Sequence, residues 1–335
     1  MTCTFCEWRC ELDNGRHGVC RMYYEDGGVV KERFPNKWCT YNAMRIESLP
    51  FYHAHPGSRS LTIGTAGCNI DCQYCANAYI AKEDPKKLQA SMYEFTPTEL
   101  VRMADKMGCH NIVFNVNEPT VSIPTLLAVS KIAKKAGIPM GCLTNAYTTE
   151  ATTELLASIF SFMNISLKGL SPDFCRHYLG IHDSKPILRN IKRLAAITHV
   201  EVTTPIIESV NDHEIDEMAA FLAAIDQEIP WHVFRLLPEY KMKEDVYPSI
   251  ESVNLILEKH RRVLPYIYFH NFIGSEWVNT LCPKCRAIVI ERFSLGCGGD
   301  KMGSYHCQDN TCPSCGYKIK IHGQRVDWNS KEAVL

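Results

Sequence analysis

The chain has 335 residues, of which 46% are hydrophobic and 22% are charged, and its formal net charge is −1. This composition is typical of a globular protein with a sizeable core, and the near-neutral charge gives no global attraction to nucleic acid or anionic membranes. We find no export signal and no apolar run of about 18 residues, so neither secretion nor a membrane span is expected. The 17 cysteines occur in closely spaced groups, which favours metal ligation in a reducing cytoplasm over disulfides.

Residues 1–40 contain the first group of cysteines. Four of them lie within one short segment, namely Cys3, Cys6, Cys10 and Cys20. So small a segment cannot bury a core of its own, and a bound metal would supply its folding energy. The spacing allows an auxiliary [4Fe–4S] cluster or a zinc site. We expect Cys39 to be a buried thiol, residues 41–60 to be irregular, and His53 and His55 to be ordinary hydrogen-bonding groups.

Three closely spaced cysteines, Cys68, Cys72 and Cys75, follow a short apolar stretch in LTIGTAGCNIDCQYC. Thiolates normally hold every iron of a [4Fe–4S] cubane, so three of them leave one iron open. The segment resembles the C-x3-C-x-Φ-C signature of the radical S-adenosylmethionine (SAM) superfamily, with Tyr74 at the aromatic position. A zinc knuckle would favour paired C-x2-C units instead. The resemblance implies SAM bound at the open iron and, because such a cluster is oxygen-labile, an anaerobic setting.

Apolar strands alternate with amphipathic helices from residue 61 to residue 270, which predicts parallel βαβ units and a partial or full α/β barrel. The predicted strands are 61–66, 111–116, 138–143, 162–167, 199–206, 231–236 and 266–270. The predicted helices are 76–82, 97–107, 122–136, 150–159, 186–196, 212–226 and 250–262. In such a barrel the chemistry lies at the C-terminal ends of the strands.

A second group of four cysteines forms two C-P-x-C knuckles: Cys282, Cys285, Cys312 and Cys315. This pattern is typical of zinc ribbons and rubredoxin-like iron sites, and zinc is the default because ribbons are usually structural. Cys297, His306 and Cys307 lie between the knuckles, and Cys297 and Cys307 are alternative ligands that keep an auxiliary cluster open. The last twenty residues are expected to form a strand and a polar tail.

Longer stretches extend the resemblance over nearly the whole chain. Six segments follow the cysteine loop in the order seen in AmmeMemoRadiSam-type radical SAM proteins, which are relatives of the pyruvate formate-lyase activating enzymes. These segments are FNVNEPT, CLTNAY, ISLKG, EVTTPIIESVND, PWHVFRLLPEY and YIYFHNF. The resemblance implies an α/β fold with a partial (β/α)6 radical SAM barrel over 41–275. Small cysteine-rich extensions at 1–40 and 276–335 would bind the accessory metals.

The resemblance also suggests roles for single residues. Asn117 and Glu118 in NEPT correspond to the element that binds the amino group of SAM, where a carboxylate suits an ammonium. The other cofactor-binding candidates are Tyr74, Asn145 and Thr203, and the catalytic candidates are Lys168, His232 and Arg235. Ser166 replaces the acid of the family's usual DLK, and CLTNAY also lacks an acid, so a cation held by such carboxylates is not expected.

The function implied is reductive cleavage of SAM to a 5′-deoxyadenosyl radical that takes a hydrogen atom from a substrate. Similarity to activating enzymes favours a peptide or protein substrate and a reduced flavodoxin- or ferredoxin-type electron donor. Two alternatives remain: a radical SAM enzyme acting on a small molecule, lipid or RNA, and a non-catalytic multi-cluster electron carrier. The neutral charge makes nucleic acid an improbable partner.

Overall fold

The computed structural model of the protein describes residues 1–13, 15–243 and 247–327. Its strands are β1 Tyr23–Asp26, β2 Val29–Glu32, β3 Lys37–Trp38, β4 Thr40–Arg45, β5 Arg59–Gly64, β6 Tyr93–Glu94, β7 Asn111–Phe114, β8 Met140–Thr144, β9 Phe162–Ser166, β10 His199–Ile206, β11 Trp231–Arg235, β12 Ile267–His270, β13 Thr280–Leu281, β14 Ile288–Phe293 and β15 Lys301–Tyr305. Its α-helices are α1 Ala78–Ala81, α2 Pro85–Leu88, α3 Pro97–Lys106, α4 Ile123–Lys135, α5 Glu150–Ile159, α6 Pro172–Phe174, α7 Lys185–Ala195, α8 Ile215–Ile225 and α9 Ile250–Glu258.

The central element is an eight-stranded sheet in the order β12-β11-β10-β9-β8-β7-β5-β4. From β5 to β12 neighbouring strands are parallel, and intervening helices connect them as βαβ units. The edge strands β12 and β4 do not pair with each other, so the sheet is an open, partial barrel. The predicted α/β class and partial barrel are confirmed, and each predicted barrel strand overlaps an observed one.

One prediction about the segment before the barrel is wrong. We expected 41–60 to be irregular, but β4 pairs antiparallel with β5 from Thr40 opposite Gly64 to Arg45 opposite Arg59. Strand β4 is half-exposed along most of its length. Because neither of its faces is fully buried, its sequence lacks the strict apolar–polar alternation that identifies a strand. It caps the edge of the barrel beside the cysteine loop.

The N-terminal segment packs on the end of the barrel where the parallel strands terminate. The Tyr23 hydroxyl of the β1–β2 hairpin donates to Thr120 O over 2.8 Å and accepts from Ile123 N. Cys6 forms a β-bridge with Thr148, just after β8. Glu7 pairs with Arg189 at 2.7 Å. These contacts hold residues 1–23 against the loops that follow β7 and β8.

The C-terminal residues form a small antiparallel ribbon of β13, β14 and β15. Beyond it, described residues 316–327 make only single β-bridges, at Lys318 and His322. The strand expected near the C-terminus is therefore not found there, and 328–335 lie outside the described residues. Within the described residues, every helix falls short of the length and apolarity that crossing a membrane requires.

A buried polar network joins the ribbon to the interior of the barrel. The Glu201 carboxylate on β10 accepts from the backbone N–H groups of Tyr52 and His53, each at 2.9 Å. It also lies 2.6 Å from His232 Nε2. The network continues to His270 and Asp300, and Arg292 of the ribbon donates to Tyr52 O. Because buried charges are costly unless they are paired, this network specifies how the ribbon docks.

Candidate active site

A cavity of about 310 Å³ opens at the carboxyl ends of the parallel strands. Its volume is in the range of small-molecule sites, about 300–1,000 Å³. The loops after β5, β7, β8 and β9 and the end of β10 contribute its walls. Among its lining residues are Cys68, Cys72, Tyr74, Cys75, Lys82, Asn117, Glu118, Asn145, Asn164, Ser166, Lys168 and Thr203.

The three cysteines of the loop after β5, which we call the cluster trio, share this cavity. Each of the three thiols lies within electrostatic range of the other two. Burial raises the pKa of the Cys68 thiol to about 11, so a bound cation is needed to hold it as a thiolate at neutral pH. The described residues that line the cavity include no fourth cysteine and no histidine.

The cluster trio is held in place by Asn117. The Asn117 Oδ1 atom accepts from Thr65 N at 3.0 Å, while its amide nitrogen donates to Thr65 Oγ1 and to the carbonyls of Ala66 and Gly67. Gly67 has a φ of 79°, which favours glycine. Asn117 was predicted to bind SAM, and its hydrogen bonds here are to the loop that precedes Cys68.

Glu118 follows Asn117 and is almost completely buried in the cavity wall. Its carboxylate accepts from Thr120 Oγ1 at 2.6 Å, from Thr144 Oγ1 at 2.8 Å and from Asn145 N at 2.8 Å. Burial raises the pKa of Glu118, while these hydrogen bonds lower it. On balance the pKa of Glu118 is raised. Glu118 is the one carboxyl group among the described lining residues, and its role toward the SAM ammonium stays a prediction.

Asn145 lies directly beside the cluster trio. Its amide nitrogen donates to Asn69 Oδ1 at 2.8 Å and lies 3.7 Å from Cys68 Sγ. Asn69 in turn donates to Tyr147 O at 3.0 Å. Sequence analysis did not single out Asn69, since an asparagine between two cysteines carries no motif signal of its own.

Tyr74, Lys168 and Thr203 also line the cavity, as their predicted roles require. Lys168 Nζ stands 5.8 Å from the centre of the Tyr74 ring. The Tyr74 hydroxyl is buried and has no hydrogen-bond partner in the described part of the chain. Thr203 donates to Asn164 at 2.6 Å. Their roles toward cofactor or substrate stay predictions.

His232 and Arg235, the other two predicted catalytic residues, are not among the cavity lining. His232 is fully buried and contacts Glu201 and His270 in the network below the cavity. Arg235 lies over the rings of Tyr247 and Phe272, at 5.3 and 5.4 Å from their centres. The structure thus separates this pair from the residues that surround the cluster trio.

Lys82 is a cavity residue that the sequence analysis missed. Its ammonium group is largely buried and donates to Ile70 O. Burial opposes its charge, but the three thiols of the cluster trio outweigh that effect and raise the pKa of Lys82. A lysine near the end of an amphipathic helix ordinarily faces solvent, so its sequence position gave no indication of this cation.

The residues present fit a [4Fe–4S] cluster with bound SAM. The donor set is three soft thiolates without a fourth protein sulfur, which suits a cubane with one open iron. The cavity beside it has room for one small ligand, a carboxylate at Glu118, two lysines and an unpartnered Tyr74 hydroxyl. A ligand with an ammonium, a carboxylate and a polar ring system would find a partner for each group.

The four cysteines of the ribbon, Cys282, Cys285, Cys312 and Cys315, form what we call the ribbon quartet. Their Sγ atoms all lie within 4.8 Å of one another, with Cys282 to Cys315 at 3.5 Å and Cys285 to Cys312 at 3.6 Å. Four sulfurs at about 2.3 Å from one tetrahedral ion would stand about 3.8 Å apart. The ribbon quartet therefore has the dimensions of a single-ion metal site. Cys297 and Cys307, the alternative ligands, are not members of this group.

The four N-terminal cysteines, Cys3, Cys6, Cys10 and Cys20, form the N-terminal quartet and line one cavity together. Every pair among them interacts electrostatically. Among the described residues, however, no three of these thiols approach one another within the 4.8 Å that joins the ribbon quartet. Cys39 lies outside the group as a half-buried thiol.

Comparison with known proteins agrees with this geometry. A family model described as the radical SAM superfamily matches residues 62–222. The chain is 30% identical over 334 residues to "Uncharacterized protein MJ0808" of Methanocaldococcus jannaschii. The aligned region covers 96% of this chain and 95% of that protein.

Two further relatives carry functional names. The chain is 27% identical over 167 residues to "Probable GTP 3′,8-cyclase" of Thermococcus kodakarensis, covering 48% of this chain and 51% of that protein. It is 24% identical over 172 residues to "Putative glycyl-radical enzyme activating enzyme MJ1227" of Methanocaldococcus jannaschii, covering 49% of this chain and 69% of that one. The chain thus spans about half the length of the cyclase. Together with the geometry of the cluster trio, these matches show that the chain belongs to the radical SAM superfamily and is one of its enzymes.

Proposed function

We propose that the protein reductively cleaves SAM at a [4Fe–4S] cluster held by the cluster trio and directs the resulting 5′-deoxyadenosyl radical to a hydrogen atom of a peptide or protein. The observation that carries this proposal is the cavity in which three thiols, without a fourth protein sulfur or an imidazole among the described lining residues, meet Glu118 and Lys168. Such a site suits a cluster that must keep one iron for a non-protein ligand.

The residues around the cavity have distinct tasks in this scheme. Asn117 fixes the loop that carries Cys68, so the thiolates keep their positions. Glu118 provides a fixed negative charge for the SAM ammonium, and its bonds to Thr120, Thr144 and Asn145 orient it before SAM binds. Lys82 supplies a buried positive charge beside the thiolates. The cavity keeps the reacting groups close together.

A decisive test is the release of 5′-deoxyadenosine and methionine from SAM after anaerobic reconstitution and reduction with dithionite. We expect wild-type protein to release both, and Cys72→Ala to lose at least 100-fold of that activity because one iron loses its thiolate. Cys109→Ala is the matched control, since Cys109 is a buried barrel thiol outside the site. Equal release by wild type and Cys72→Ala would contradict the cluster assignment, and no release by wild type would contradict the proposal and favour the electron-carrier alternative.

The open side of the partial barrel leaves an approach for a peptide or protein substrate. The cavity volume of about 310 Å³ suits one small ligand, so a further substrate would enter from the open side of the partial barrel. The relative named as a putative glycyl-radical enzyme activating enzyme also supports a protein substrate. The relatives named as GTP 3′,8-cyclases favour a small molecule as the second candidate.

Deuterium transfer distinguishes these candidates. Cells are grown in deuterated medium, and their extract is separated by ultrafiltration into macromolecules and small molecules. Each fraction is added to the reduced enzyme with unlabelled SAM. We expect deuterated 5′-deoxyadenosine with the macromolecular fraction, and loss of that signal after protease treatment of the fraction. Deuterium from the filtrate alone would overturn the peptide or protein assignment and favour the cyclase-like candidate.

For the ribbon quartet we propose a single structural zinc ion. The supporting observation is the sulfur spacing of 3.5 and 3.6 Å, which is too close for thiolates on separate corners of a cubane. Metal analysis of protein purified without added metals tests this, with about one zinc per chain expected. Iron bound without sulfide would make the site rubredoxin-like instead. The same reduced thiols suit a reducing cytoplasm, and a reduced flavodoxin or ferredoxin is the proposed electron donor.

A further inference from the structure

The N-terminal quartet touches the cluster trio through two independent contacts. On one side, Asn69 lines the same cavity as the four N-terminal thiols, and its Oδ1 atom lies 3.9 Å from Cys68 Sγ. On the other side, a Cβ atom at Gly67 would stand only 2.8 Å from Cys20 O. The residues immediately before and after Cys68 are therefore packed against members of the N-terminal quartet.

The arrangement of the four N-terminal thiols favours a multi-iron cluster over a single ion. Two sets of cysteines each line one cavity without approaching single-ion spacing in the described part of the chain: the cluster trio and the N-terminal quartet. The ribbon quartet alone among the described groups has that spacing. The cluster trio belongs to a radical SAM domain and serves a cubane. The N-terminal quartet resembles it in thiol spacing, and this resemblance favours a cubane there too.

The surroundings of the N-terminal quartet also suit a bound cluster. The four thiols line one cavity together with His17, whose Nδ1 atom is buried and finds no hydrogen-bond partner in the described part of the chain. Cys3 and Cys6 are buried toward the barrel, whereas Cys10 and Cys20 are half-exposed and Val19 beside them is exposed. One side of the site thus faces solvent and the opposite side faces Asn69.

We propose that the N-terminal quartet holds a second [4Fe–4S] cluster, ligated by all four thiolates, that passes electrons through the contact at Asn69 to the SAM cluster. Four thiolates leave no iron open, so this cluster cannot bind SAM as the cluster trio does and is suited to electron transfer. The relay rests on the proposed function, whereas the presence of the second cluster does not.

The electron balance of the relay is simple. A reduced ferredoxin or flavodoxin gives one electron to the N-terminal cluster and is itself oxidised by one electron. The N-terminal cluster then gives this electron to the SAM cluster and returns to its oxidised state. No proton or group is transferred in either step, and the electron is consumed in the cleavage of SAM.

Iron and sulfide analysis of anaerobically purified, reconstituted full-length protein tests the second cluster. About eight irons and eight sulfides per chain are expected for two cubanes. The double variant C10S/C20S should retain about four, and so should the triple variant with alanine at all three positions of the cluster trio. Cys39→Ser is the matched control, because Cys39 is a half-buried thiol in the same apolar cluster as Cys10 and Cys20. About four irons in wild type would overturn the second cluster, whatever the variants do.

The relay is tested by the ratio of two rates of 5′-deoxyadenosine release, one driven by reduced flavodoxin and one by dithionite, a small reductant that can enter the open cavity. We expect C10S/C20S to lower this ratio at least ten-fold and Cys39→Ser to leave it unchanged. An unchanged ratio in C10S/C20S would overturn the relay. In reduced wild-type protein we also expect spin–spin coupling between the two clusters by EPR, and its absence would contradict the contact. Failure of the proposed function would appear separately, as no cleavage by wild type with either reductant.

Discussion

The two groups of four cysteines at opposite ends of the chain differ in how the backbone spaces their thiols. In the ribbon quartet each C-P-x-C knuckle folds back on itself, with Arg286 N bonding to Cys282 O and Gly316 N to Cys312 O. This brings the sulfurs within 4.8 Å of one another. In the N-terminal quartet the fourth thiol follows after nine intervening residues, and the thiols surround a cavity. The comparison teaches that local turn geometry decides whether four cysteines enclose one ion or a cluster.

The two regions also differ in how they attach to the barrel. The N-terminal segment rests on the loops around the active site, through Tyr23, Trp8 and Cys6. The ribbon is fixed instead by the buried network of Glu201, His270 and Arg292. We therefore expect changes in the ribbon to affect stability first, and changes near the N-terminal quartet to affect electron transfer first.

Removing the ribbon ion should have the largest effect on stability. Cys285→Ala deletes an exposed thiol, so little packing is lost, but the ion loses one of its four ligands. Structural zinc contributes about 10–16 kcal/mol of apparent folding free energy to small zinc domains. We expect loss of the zinc and of amide protection in β14 and β15, measured by hydrogen exchange. Cys297→Ala, also exposed and outside the quartet, should change neither, and retained zinc in Cys285→Ala would contradict the assignment.

Disrupting the buried network should have the next largest effect. Glu201→Ala removes the acceptor for two backbone N–H groups and the partner of His232. Burial raises the pKa of Glu201, but hydrogen bonds from His199 and His232 outweigh it and hold that pKa well below its usual range. Loss of one member of such a buried pair costs about 3–5 kcal/mol. Urea unfolding measures this cost, Glu208→Ala serves as the surface control, and a change below 1 kcal/mol would contradict the role of the network.

Sequence reasoning recovered what depends on short patterns. The alternation of strands and helices and the three cysteine groups follow from periodicity and spacing, while the lining positions Glu118, Asn145, Lys168 and Thr203 came from the family resemblance. It failed where tertiary packing decides. Strand β4 lacks alternation, and the charge of the buried Lys82 is favoured by the three thiols and by Asp71, which only the fold brings around it. From the sequence, His232 looks like a catalytic residue, because it is a histidine near the end of a barrel strand. Its contact with Glu201 shows that it belongs to the buried polar network instead.

Acid should loosen the ribbon more than the N-terminal segment. Burial lowers the pKa of His270 to about 4 and that of His53 to about 3, from the ordinary histidine value of about 6.5. Because the unfolded chain binds these protons first, the stability they contribute is complete above pH 6.5 and is lost as the pH falls toward 4. For His270 the loss is about 1 kcal/mol between pH 7.5 and 5.5 and about 3 kcal/mol by pH 4.

Hydrogen exchange in β14, corrected for the intrinsic rate at each pH, measures that loosening. His270→Gln should show a smaller decrease in protection between pH 7.5 and 5.5 than wild type, because one titrating group is gone. His213→Gln is the control, since His213 is exposed. An equal decrease in wild type and His270→Gln would show that His270 does not contribute to the pH dependence.

The smallest expected effect is a shift in the reduction potential of the SAM cluster that leaves the potential of the N-terminal cluster unchanged. Lys82 lowers the pKa of all three thiols of the cluster trio, against the larger opposing effect of burial. Lys82→Met keeps the chain length and removes the charge, so the electron-rich reduced state of the SAM cluster loses a stabilising cation. We expect its potential to fall by less than about 60 mV, the equivalent of a tenfold change for one electron, while the N-terminal cluster keeps its potential. Lys87→Met, which removes an exposed lysine paired with Glu83, should shift neither in an EPR-monitored redox titration. Equal shifts in the reduction potentials of both clusters in Lys82→Met would mean that the two sites share one electrostatic environment. Only the number of cysteine ligands would then distinguish the relay cluster from the SAM cluster.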